Sequence, residues 1–126
     1  IKDKELAPEG WHIPSNEEWT ELDDCLGGYM VSGGKMKTTG TIEEGTGLWQ
    51  YPNLEATNSS GFSALPGGFR AYYGSFLYRG QWGAFWTSLD AGEPFFWLLQ
   101  FYAGYTAGMS STYSRSWGLS VRCVRD

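Results

Sequence analysis

The chain has 126 residues and a formal net charge of −5, with 7 Trp, 8 Tyr, 7 Phe and 18 Gly. That length is one domain's worth and can bury a real core. The nine basic residues are scattered without a run, which argues against nucleic acid as a partner. No apolar stretch reaches membrane-spanning length, so direct insertion into a bilayer by this domain is not expected. No signal peptide is legible, and the abrupt start at Ile1 is compatible with an export signal or lipid anchor trimmed upstream.

In chain order, Gly10-Trp11-His12-Ile13-Pro14 is a short extended segment closed by proline. Ser15 then has the chemistry of a helix N-cap, and Glu18 three residues on completes a capping box. Asn16, Glu17 and Glu18 place polar and negative groups where the helix dipole favours them. Trp19, Leu22 and Leu26 share one face at helical spacing, with Cys25 at its edge. Gly27-Gly28 supplies a left-handed stop. A weaker helical turn is expected over 32–38, where two glycines cost about 1 kcal/mol each and tertiary contacts must compensate. From Thr39 to Gly61 the pattern dissolves into a long loop, long enough to imply a purpose.

From Phe62 on, short strand-like pieces alternate with glycines: 62–65, 68–73, 76–78, 84–88, 95–102 and 119–124. A helix followed by short antiparallel strands describes an α+β domain. In the last nine residues Leu119, Val121 and Cys123 fall on one face, and Ser120, Arg122 and Val124 on the other. Such a terminal strand must be tied down to stay ordered. The two cysteines, Cys25 and Cys123, are either bridged or two separate buried thiols. A bridge would close a loop of about a hundred residues and stabilise by roughly 4–5 kcal/mol in the chain-entropy account.

The stretch from Trp97 to Trp117 carries Tyr, Ser and Gly with an occasional Trp and Arg. That is the composition of paratopes, in which rigid amphipathic rings supply area and small residues allow close fit. Exposed rings of this kind also stack on the apolar faces of sugars. The competing reading is a set of aromatics packed beneath neighbouring loops. His12 is the only histidine, and no nucleophile at a recognisable spacing accompanies it. Asp90 and Glu93 supply too few oxygens for a hard cation, so neither metal nor cofactor is expected. Asn58-Ser59-Ser60 fits a glycosylation acceptor, a pattern that arises easily by accident.

Five strings in order, GWHIPSNEEW (10–19), GGKMKTTG (33–40), ATNSSGFSALPGGFR (56–70), FWTS (85–88) and GLSVRCVRD (118–126), resemble the Fibrobacter succinogenes major paralogous domain. That module is common in exported proteins of Bacteroidetes and Fibrobacteres, and the match runs from about Leu6 to the C-terminus. The resemblance implies a C-type-lectin-like fold shared with formylglycine-generating enzymes: two helices flank a small twisted antiparallel sheet and the chain ends meet. It also implies a disulfide between the first helix and the last strand, here Cys25 with Cys123. Family members often carry Cys before the proline of the opening segment, where this chain has Ala7-Pro8. It further implies a core structural role for His12, and places Trp97, Leu99 and Phe101 in the core with Leu98, Gln100 and Tyr102 on the surface. Neither cysteine resembles the paired copper-handling thiols of the enzymes, and no Trp-Asn-Asp calcium signature follows Glu93-Pro94.

The expectation is therefore a single non-enzymatic domain spanning residues 1–126, part of a longer exported or surface-attached bacterial protein. It would act as an adhesin or receptor module that binds a protein or glycan. The expected contact residues are Leu98, Gln100, Tyr102, Tyr105, Met109, Ser111, Tyr113, Arg115 and Trp117, helped by Tyr72, Tyr73 and Trp82. Since some members of the family are targets of diversity-generating retroelements, the positions from Leu98 to Tyr113 in that set are plausible varied sites. A structural module of a larger surface or fimbrial protein is the second expectation. An enzyme of the formylglycine-generating type is the third.

Overall fold

The computed structural model describes residues 6–88, 95–100, 106–110 and 116–126. Among the described residues two helices, α1 (Asn16–Cys25) and α2 (Ser32–Met36), accompany seven short strands. The strands are β1 (Trp11–His12), β2 (Phe69–Arg70), β3 (Phe76–Leu77), β4 (Trp82–Trp86), β5 (Phe95–Gln100), β6 (Thr106–Ser110) and β7 (Val124–Arg125). They form three small antiparallel sheets, β1–β7, β2–β3 and β4–β5–β6, so the domain is α+β.

Helix α1 begins and ends as its sequence requires. Ser15 Oγ accepts from the Glu18 amide at 3.1 Å, and the Glu18 carboxylate accepts from the Ser15 amide at 2.8 Å. At the other end Gly28 N–H donates to Asp23 O (2.8 Å) and Gly27 N–H to Asp24 O (3.0 Å). Both glycines sit at positive φ, so this is a Schellman stop. The glycine-bearing α2 survives for a specific reason. The loop backbone at Glu55 crosses over Gly34, where a Cβ would collide with the Glu55 carbonyl, and Thr57 N–H donates to Gly34 O at 2.8 Å.

The central sheet divides the interior in two, because successive strand residues point to opposite faces. On one face Phe85, Trp97 and Leu99 join Trp19 and Met36 from the helices, with Leu22 and Leu26 packed alongside. Trp19 stacks on Trp97 with centroids 5.8 Å apart. Both indole N–H groups are buried without an acceptor, so packing alone holds this pair. On the other face Ala84, Trp86, Phe96 and Leu98 are covered by Trp82, Trp117, Leu119 and Val121. Strand β4 begins at Trp82, two residues ahead of the predicted piece, and 62–65 contributes only a parallel bridge from Ala64 to Lys37.

The 39–61 loop does have a structural purpose. It delivers Trp49, fully buried, whose indole N–H donates to Thr38 Oγ1 (3.1 Å) and Ala64 O (3.2 Å). The Asn58 side chain closes a local turn with Ser63, donating to Ser63 Oγ at 2.9 Å and accepting from its amide at 2.8 Å. The chain ends do meet, but not through sulfur. Cys25 is exposed and Cys123 half-buried, and both are free thiols, so the expected disulfide is corrected.

The C-terminal segment is tied instead by backbone pairing and by one imidazole. Trp11 pairs with Arg125 and His12 with Val124, while Gly118 bridges Arg70 and Ser120 bridges Phe85. His12 Nδ1 lies 2.7 Å from Asp126 Oδ1 and Nε2 lies 2.8 Å from Glu18 Oε1. Its side chain is 34% exposed, so His12 is a surface clasp and not the core residue expected. Arg122 adds a cation–π contact, 4.6 Å from the Phe62 ring centre.

Candidate functional site

The β2–β3 hairpin turns tightly: Ala71 N–H donates to Ser75 O (2.8 Å) and Gly74 N–H to Ala71 O (2.9 Å). Gly68, at positive φ, lets its backbone approach that of residues 77–79 where any Cβ would collide. The hairpin therefore lies against β4, and its aromatic side chains meet those of the sheet. Tyr78 stacks on Trp82 at 4.0 Å with the planes nearly parallel, 7° apart. Phe69 sits 5.6 Å from Trp82 and 4.9 Å from Trp117. Tyr72 lies 6.3 Å from Trp117 and packs edge-on to Tyr73 at 5.0 Å.

Phe69, Tyr78, Trp82 and Trp117 wall a groove of about 230 Å³, with Leu77, Trp86, Phe96, Leu98 and Leu119 as its floor and sides. The groove adjoins, through Phe69 and Leu119, a shallower depression lined by Arg70, Phe76, Gly118 and Ser120. At the rim Tyr72, Tyr73 and Phe76 are exposed, Phe76 by 80%. Large apolar rings held open to solvent around a concavity are what a binding surface requires.

The expected contact residues distribute unevenly. Trp117 lies in the groove, as do Trp82 and, at its edge through Trp117, Tyr72. Leu98 is only 4% exposed, so its expected surface position is corrected. Strand β5 is the middle strand of its sheet and is covered on both faces, which leaves Leu98 as groove floor. Gln100 is half-buried, pairs with Trp82, and its carbonyl accepts from Lys37. Met109 lies in β6 opposite Phe96. Tyr102, Tyr105, Ser111, Tyr113 and Arg115 lie outside the described residues, as do Asp90 and Glu93.

Sequence reasoning missed two groups. Phe69 and Tyr78 complete the groove, and the signal was available: residues 69–82 hold six aromatics and no carboxylate. The other is Lys37, fully buried, whose Nζ donates to Leu54 O (2.8 Å) and Gln100 O (3.0 Å) and lies 5.5 Å from the Trp49 ring centre. Burial pushes its ammonium down to about 8, partly countered by the Glu55 carboxylate. It ties the 54 loop to the end of β5. Among the described residues no group of three or more His, Cys, Asp or Glu is arranged to hold a metal ion. No helix among them is long and apolar enough to cross a membrane.

A small α+β domain with an open, aromatic-walled groove is the class that fold and site define. The profile of the Fibrobacter succinogenes major domain family matches residues 1–125, and the chain belongs to that family. No curated protein and no solved structure matches it significantly.

Proposed function

We propose that this domain is a non-enzymatic binding module of an exported or surface-attached bacterial protein. It engages a protein or glycan through the groove walled by Phe69, Tyr78, Trp82 and Trp117. The observation that carries this reading is the combination of a preformed apolar cavity with exposed rings at its rim. Binding then buries aromatic area on a scaffold that needs little reordering, which keeps the entropic cost of association low. A C-type-lectin-like arrangement fits the same picture, supported by the paired chain ends and the two helices beside a small sheet. The segment from Leu98 to Tyr113 enters the proposal as the place where retroelement diversification would retune the ligand. A near-repeat of its coding DNA beside a reverse transcriptase gene would test that.

The experiment is a glycan and protein array probed with the labelled domain and with Trp82→Ala. Specific hits lost in the variant, at a melting temperature close to wild type, support binding. Hits that persist in the variant count against the groove. A structural module of a larger surface protein is the second reading, favoured by the close ring-to-ring packing of Phe69, Tyr78 and Trp82. In that case the array stays blank and Trp82→Ala chiefly lowers stability.

A further inference from the structure

Charge is divided along this chain. Residues 1–55 hold all four lysines against eleven carboxylates, whereas residues 56–126 hold all five arginines against three. No carboxylate occurs between Glu55 and Asp90, the stretch that builds the hairpin wall of the groove. Arg70 and Arg79 in that stretch are exposed, and among the described residues neither is in an ion pair. Arg70 lines the depression that adjoins the groove through Phe69 and Leu119, so the groove is aromatic within and has a cation at that edge; Arg79 lines a separate depression with Ile42, Leu48 and Leu65.

The opposite character appears across the central sheet. Helix α1 packs on the Trp97–Leu99 face, whereas the groove opens on the Phe96–Leu98 face. On the outward side of α1 the exposed carboxylates Glu17, Glu21 and Asp24 recur at i, i+4 and i+7, one stripe along the helix. The stripe runs into the turn between α1 and α2, where Tyr29, Met30 and Val31 are 62%, 61% and 42% exposed. Among the described residues, Lys35 beside that turn is engaged with the Leu26 carbonyl at 2.7 Å. Three consecutive apolar side chains held out to water at the end of an acidic helix form a knob with a negative collar.

We propose that the groove of one copy receives the Tyr29–Met30–Val31 knob of a second copy, with the acidic stripe facing Arg70 at the groove's edge. The knob supplies apolar side chains for an apolar cavity, and the acidic stripe supplies carboxylates for the Arg70 guanidinium. Because knob and groove lie on opposite faces of the sheet, a chain cannot fill its own groove. The contact is therefore heterologous, each copy donating a knob and accepting one, and such contacts build head-to-tail assemblies, rings where the rotation closes and open chains where it does not. The contact is small, so the association is weak and salt-sensitive. This inference rests on the groove being the binding surface and names the partner that occupies it.

The test is sedimentation velocity of reduced protein at concentrations from about 10 μM to about 1 mM, a range suited to weak interfaces. Wild type is expected to show a concentration-dependent series of oligomers that recedes in high salt. Met30→Asp removes the knob and Arg70→Glu reverses the border, both at exposed positions where folding is spared. Each alone is expected to weaken association by about tenfold or more. Mixed in equal amounts they should form a dimer and nothing larger, because one keeps an intact groove and the other an intact knob. A wild type monomeric throughout, or a mixture no more associated than its components, overturns the proposal. If wild type is monomeric but an array ligand still binds in a Trp82-dependent way, the partner assignment fails and the binding reading stands. If neither occurs, both fail.

Discussion

Lys37 offers a sharp test of how the interior is held. The unfolded chain keeps this proton up to the ordinary value of 10.5, whereas the folded chain releases it near 8. Between those pH values the unfolded state binds more protons, so stability must rise with pH, opposite in sign to a lysine that gains a carboxylate partner. The full gap corresponds to roughly 3 kcal/mol, and about 1.4 kcal/mol of it has developed near pH 9. Lys37→Met keeps the volume but has nothing to titrate, so subtracting its stability from wild type cancels tyrosine and thiol ionisation. The assay is urea unfolding followed by tryptophan fluorescence at several pH values from neutrality upward. Wild type is expected to gain on Lys37→Met as pH climbs through 8, with unchanged m-value. A flat difference, or one that falls with pH, would refute the picture of a desolvated ammonium clamped between the Leu54 and Gln100 carbonyls.

Three further outcomes follow from particular contacts. Hydrogen bonds to Asp126 and to Glu18 raise the His12 pKa above 6.5, so its clasp is fully present below 6.5 and is lost as pH rises through the raised value. Burial alone would raise the Glu18 pKa, but the Ser15 amide and His12 lower it below 4.5, so its share is present above 4.5 and is lost as pH falls through the lowered value. The melting-temperature difference between wild type and His12→Gln should therefore peak in mildly acidic solution and shrink on both sides. Gly34→Ala separates helix propensity from packing: propensity favours alanine by about 1 kcal/mol, whereas collision with the Glu55 carbonyl costs about 1–3 kcal/mol. A lowered urea midpoint is expected, and a raised one would contradict the backbone crossing. Intact-mass analysis should show no change on reduction, and maleimide should label exposed Cys25 faster than Cys123 on the native domain.

What the sequence made legible was local. The capping box and the Gly27-Gly28 stop name their own geometry, so α1 falls where expected. The alternation at the C-terminus likewise puts Leu119 and Val121 on the inward face. Long-range choices were less visible. A lysine among Gly and Thr reads as solvated surface, and only the fold supplies the two carbonyls and the indole that accept Lys37 inside. Trp49 has no periodic neighbours to mark it as core. Alternation separates Leu98 from Trp97 and Leu99, and the resemblance puts its set outward, but β5 is a middle strand covered on both sides and has no wet face. The cysteine pairing came from resemblance and not from geometry, and backbone pairing with the His12 clasp does that work instead. Of the groove's rings, Trp82 and Trp117 belong to the expected contact set, whereas Phe69 and Tyr78 reach it only through the hairpin's fold-back.

The central claim, that the aromatic groove is where this domain meets another molecule, is tested most directly by indole N–H chemical shifts during titration with an array hit. Trp82, Trp86 and Trp117 line the groove, whereas Trp19, Trp49 and Trp97 lie in the core across the sheet. Saturable shifts of the first three are expected, with the second three unmoved. Saturable binding that leaves Trp82, Trp86 and Trp117 unshifted would contradict it.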